Sequence, residues 1–239
     1  MIPLGIQMSP EHAFPPAVLL GLWLNAAQIG SVSQTDAANA LEAITEQVDV
    51  QIVNNSVGLE SSWLDLVRTA ASAAEPVAVG LPVPGDPAGV PVGVLATISV
   101  DSGVVAINRT QVLCQDSNAE WILMNETNNV LHYDLSQTRR SLMEQISESA
   151  NQLAASDLVG DETEILAALE SFRTLHIPPH ISKRSTEALE LAARIIIIAQ
   201  GAIAKTSALH SPSTDRRRLQ TLENLVTVAR TVLQSVVTT

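Results

Sequence analysis

Residues 15–30 read PPAVLLGLWLNAAQIG. Two prolines lead in, a glycine closes the stretch, and almost every side chain between them is apolar. Proline suits a helix start, where its missing N–H costs nothing, and glycine suits the position just past the last turn. The stretch predicts a helix that is apolar nearly all round. Such a helix cannot lie on a wet surface, so it is expected at the centre of the molecule.

Outward from that helix, Ser33 predicts the cap of a second helix, with Asp36 three residues on and Ala37, Leu41, Ile44 and Val48 as its stripe. VDVQIV (48–53) alternates apolar and polar and predicts a half-buried strand. Leu59, Trp63, Val67, Ala70 and Ala74 are spaced by three and four, which predicts a third helix over about 59–74. PVAVGLPV (76–83) predicts a short or edge strand, because its prolines cannot donate to a ladder. VGVLATISV (92–100) and GVVAIN (103–108) flank Asp101-Ser102-Gly103 and predict a hairpin, with a helix over 94–101 as the competing reading. QVLCQ (111–115), AEWILMN (119–125) and NVLHYD (129–134) predict further strands.

From about residue 136 the apolar period changes to that of helices. Leu142, Met143, Ile146, Ala150, Leu153 and Ala154 mark one, and Asp161 with Ile165, Leu169 and Phe172 a second. HIPPHIS (176–182) breaks the run. Residues 184–205 predict a long helix whose middle, Ala192–Ala204, needs cover on all sides, and SPSTD (211–215) caps the last. The fold class is α+β. A mixed domain over residues 1–135, helices plus a largely antiparallel sheet, precedes a four-helix region over 136–239.

Composition narrows the function. Hydrophobic residues make up 46% of the 239 and aromatics only 3%, so the core is aliphatic and stacking platforms for single-stranded nucleic acid are scarce. Residues 1–135 hold 14 acidic against two basic residues, Arg68 and Arg109, whereas 136–239 hold 11 of each. The acidic part repels phosphate backbones and anionic lipids. The single Cys114 allows no intramolecular disulfide. PAVLLGLWL (16–24) follows an acidic residue, Glu11, where a signal peptide would have basic ones, and IIIIAQGAIA (195–204) is too short to span a bilayer. A cytoplasmic location is the expectation, and with it the N-x-S/T sites at Asn54, Asn108 and Asn125 carry no meaning.

The common phosphate cradles, the G-x-S-x-G elbow and the H-E-x-x-H zinc pair are absent. No catalytic residue, metal or cofactor is therefore expected. His176 and His180 are separated by two prolines, and a metal would need more ligands, such as His132 or Asp134. Glu144, Glu148, Asp161, Glu162 and Glu164 lack the Glu-x-x-His partners of a di-metal bundle and read as solvated charges. Arg216, Arg217 and Arg218 stand in the first turn of the last helix, where the macrodipole disfavours cations. They are candidates for contact with a protein surface. GLPVPGDPAGVPVG (80–93) combines stiff and permissive residues, with an Asx turn expected at Asp86. Its candidate ligand groups are Gly85, Asp86 and Gly89.

LPVPGDPAGVP followed by LATISVDSGVVAI, then a mid-chain tryptophan and a helical second half, resembles a family of uncharacterised actinobacterial proteins with a PGDPxG loop. The resemblance spans most of residues 80–239 and implies no activity and no catalytic residues. The first functional reading is a non-catalytic, self-associating interaction or regulatory protein. The alternatives are an enzyme or small-molecule binder at the Pro–Gly loop, and weak nucleic-acid binding through the basic start of the last helix.

Overall fold

Proline sets where the first helix begins. In the computed structural model Pro16 occupies the first turn of α1 (Pro16–Gln28), and the chain leaves through Ile29 and Gly30, whose φ is +72°. The structure describes residues 14–47, 49–54, 57–83, 85–96, 98, 102–153, 170, 175–179, 181–206 and 214–239. α2 (Gln34–Thr45) starts where expected, with the Ser33 hydroxyl accepting from the Asp36 amide. Strand β1 (Asp49–Asn54) follows. The chain then makes β2 (Val57–Ser62), α3 (Trp63–Ser72), β3 (Ala78–Gly80), the single-turn α4 (Val92–Leu95), β4 (Val104–Asn108), β5 (Gln111–Gln115) and β6 (Trp121–Met124). Three long helices complete the described part: α5 (Leu135–Leu153), α6 (Lys183–Thr206) and α7 (Thr214–Val237).

The six strands form one sheet in the order β2-β1-β6-β5-β4-β3. Four neighbours pair antiparallel, and only β1 with β6 runs parallel. Alternation along the strands sorts their side chains onto two faces. Val50, Val79, Val105, Ile107, Leu113, Trp121 and Leu123 join the main core with α1. Ala78, Val104, Ala106, Val112, Cys114 and Ile122 point the other way into a smaller cluster, closed by Val90, Val94 and Val130.

α1 is the pillar of the main core. Ala17–Leu24, Ala26 and Ala27 are all buried on it. Its cluster runs without a break from Leu41 and Leu66 to Leu142, Leu189 and Leu233 on α5, α6 and α7. Asn25, near the end of α1, clamps the two parts together. Its Nδ2 donates to the carbonyls of Val77, at 2.8 Å, and Val237, at 2.6 Å, while its Oδ1 accepts from the Val77 amide at 2.9 Å.

Several expectations are corrected. Residues 57–62 are a strand, so the third helix starts at Trp63 under the Ser62 cap and not near 59. Val92–Leu95 is a helical turn, so β4 pairs with β3 and β5 instead of forming a hairpin with 92–100. Segment 129–134 is irregular, because β6 finds its second partner in β1. The middle of α6 is not covered all round: Ile196 and Ile197 are buried, but Ile198 is 46% exposed. The helix expected around Asp161–Phe172 lies outside the described residues, apart from Glu170, as do Ala154, His180 and the Ser211–Ser213 cap.

Candidate functional site

The Pro–Gly segment folds back on itself. Val83 and Asp86 exchange two backbone hydrogen bonds of 2.9 Å across Gly85, whose φ is +90°. Asp86 Oδ1 accepts from the Ala88 amide at 2.9 Å, which is the expected Asx turn. Ala88 and Gly89 both take positive φ, and Pro87 O accepts from Val90 N. The amides of Asp86, Ala88 and Val90 are thus spent inside the loop. Gly85, Asp86 and Pro87 face solvent, while Ala88 and Val90 are buried and Val90 helps close the second face of the sheet. Gly89 is pressed against residues 129 and 130, with its carbonyl accepting from Asn129 N. Tyr133 lies near enough to feel this corner: burial, then the Asp86 charge, push its phenol up.

The hollow beside the corner includes none of its three candidate residues. A groove of about 270 Å³ lies between the start of β3, the end of β4 and segment 128–132. Ala78 and Ala106 face each other across the strands and form its floor, because neither fills the space a branched residue would. Asn108 and Asn128 line it, and both side chains are held by neighbours, Asn128 Nδ2 donating to Asn108 O at 2.7 Å. Glu75 and Arg109 pair at its rim at 2.8 Å, and this hydrogen bond, followed by the Glu75 charge, raises the Arg109 pKa. Sequence periodicity could not find this groove, since its walls come from three separate segments.

The other candidates are dispersed in role. Asp134 caps α5, its Oδ1 accepting from the Gln137 amide at 2.8 Å. His176 is exposed, and its carbonyl accepts from Trp23 Nε1 at 2.9 Å. No group of three His, Cys, Asp or Glu among the described residues could hold a metal ion. Cys114 sits buried beside Met124, and burial, helped by the Asp116 charge, pushes its thiol up to about 12. At pH 8 the thiolate fraction is then roughly one in ten thousand. Iodoacetamide is therefore expected to label native protein at least a hundredfold more slowly than protein in urea, as followed by mass spectrometry. Because burial disfavours the thiolate in the folded state, Cys114 has no effect on stability below its ordinary pKa of 9.0 and lowers it progressively as pH climbs towards about 12.

Arg216 and Arg217 are exposed in the first turns of α7, and Arg218 is half-buried. Arg139 and Arg194, in contrast, each stand 3.9 Å from a glutamate of their own or a neighbouring helix. None of the three arginines pairs with a carboxylate among the described residues, and Arg218 Nε is buried without a hydrogen-bond partner. Asp36, Glu42 and Glu46 are likewise exposed along α2. No described helix is long and apolar enough to cross a membrane.

Two family models match the chain. Residues 17–114 match the Rv1486c-like protein, N-terminal domain, and residues 136–234 the Rv1486c-like protein, C-terminal domain. No curated protein and no solved structure shows significant similarity to it. The chain belongs to the Rv1486c-like proteins.

Proposed function

We propose that this member of the Rv1486c-like proteins is a cytoplasmic, non-catalytic interaction or regulatory protein. Arg216, Arg217 and Arg218 dock on an acidic protein surface, for which the first part of a second copy is the nearest example. One observation carries the reading: three consecutive cations, placed against the macrodipole of their own helix, have no carboxylate partner within the described residues. Consecutive residues on a helix point in different directions, so the trio suits a broad surface better than one small ligand. Electrostatic complementarity of this kind sets specificity and association rate, and salt weakens it. The division into an acidic part, 1–135, and a mixed-charge part, 136–239, gives the two surfaces. The PGDPxG corner is on this reading a structural mark of the family. A ligand at Gly85, Asp86 and Gly89 would have to compete with the bonds that the corner makes to itself.

Reversing all three charges (R216E, R217E and R218E) is expected to weaken self-association at least tenfold in sedimentation equilibrium at low salt. Added salt should weaken the unaltered protein in the same direction. A chain that is monomeric at every salt concentration overturns the reading.

A further inference from the structure

The two edges of the sheet are not treated alike. β3 is three residues long, is bracketed by Pro76 and Pro82, and has the backbone just before it tied down by Asn25. These are ordinary protections against pairing with another chain. At the opposite edge β2 is six residues long and carries no proline and no basic residue. It pairs with β1 along one side only, and among the described residues no backbone hydrogen bond leaves its outer side. Every second residue of an antiparallel edge strand turns both its N–H and its C=O outward. Among the described residues β2 therefore presents an unused ladder.

Charge selects the occupant. The only charged residue of β2 is Glu60, which is exposed, and Asp65 stands exposed just beyond its end. Residues 1–135 carry 14 acidic and two basic residues, so a second copy of this edge would meet repulsion. A strand with lysine or arginine at alternate positions would meet attraction. We infer that β2 accepts an extended cationic segment of a partner protein, which adds as a seventh strand by main-chain hydrogen bonding. This surface is separate from the arginines of α7 and opposite to them in charge, so the inference does not depend on their role.

Hydrogen exchange tests it, with a synthetic peptide of eight residues alternating lysine and valine as the probe. At saturation the peptide is expected to slow exchange of alternate amides within 57–62 at least tenfold. The same peptide with alternate backbone nitrogens methylated, or with glutamate for lysine, should leave them unchanged. Loss of protection on Glu60→Lys would support the charge argument. No protection by the lysine peptide, or equal binding of the methylated one, overturns the inference. Protection that rises with protein concentration alone would replace the cationic segment by a second copy.

Discussion

Replacing Gly89 by alanine is expected to destabilise the fold by about 3–5 kcal/mol. Two costs add. Gly89 has φ +76°, a left-handed conformation that penalises an L side chain by about 1–2 kcal/mol. A Cβ there would also stand 2.1 Å from Asn129 O and 2.6 Å from its carbonyl carbon. Those atoms are backbone, so no rotamer change relieves the overlap, and segment 129–130 must move off the second face of the sheet. Gly85 supplies the control. Its φ is +90° but a Cβ would meet nothing within 4 Å, so Gly85→Ala should cost only about 1–2 kcal/mol. Urea unfolding of both variants measures the difference. Equal losses would mean that the 129–130 segment yields freely and that the corner does not hold it.

The second large effect is expected at Asn25. Changing it to leucine keeps the volume but removes three hydrogen bonds, stranding the Val77 amide and carbonyl and the Val237 carbonyl. Each buried backbone group left without a partner costs about 1–3 kcal/mol, so a total loss of about 3–5 kcal/mol is expected. Gln28→Leu is the graded comparison, since its Nε2 donates to Ala73 O and Glu75 O nearer the surface. Chemical denaturation should rank Asn25→Leu well above it. A loss under about 1 kcal/mol would show that the clamp is replaceable.

Much of this architecture could be read from residue patterns. The all-round apolarity of 15–30 placed α1 at the centre, where its residues are indeed buried. Pro76 and Pro82 marked β3 as a short or edge strand, and it is three residues long at the edge of the sheet. Three kinds of information were not local. β2 was hidden because VGLESS mixes glycine and serine with apolar residues, and what makes it a strand is its pairing with β1. The 92–100 segment alternates like a strand, but Pro91 starts a helical turn there and Val94 is drawn into the second cluster. Segment 129–134 has strand composition, but β6, the strand before it, is already paired on both sides, with β5 and β1.

The candidate site was less legible than the fold. Asp86 was singled out correctly as an Asx-turn residue. Nothing in the loop's own sequence announced that Val90 would cover the sheet. Nor did it announce that Ala78 and Ala106, 28 residues apart, would leave a hollow between them. The unpaired state of Arg216–Arg218 among the described residues required knowing which carboxylates lie near, and that is set by packing.

α1 belongs to both parts of the chain, through one shared core. Scanning calorimetry of the whole protein tests this directly. One shared aliphatic core predicts a single endotherm whose calorimetric and van't Hoff enthalpies agree. Two resolved transitions, or a calorimetric enthalpy well above the van't Hoff value, would show two bodies that fold apart and would contradict it.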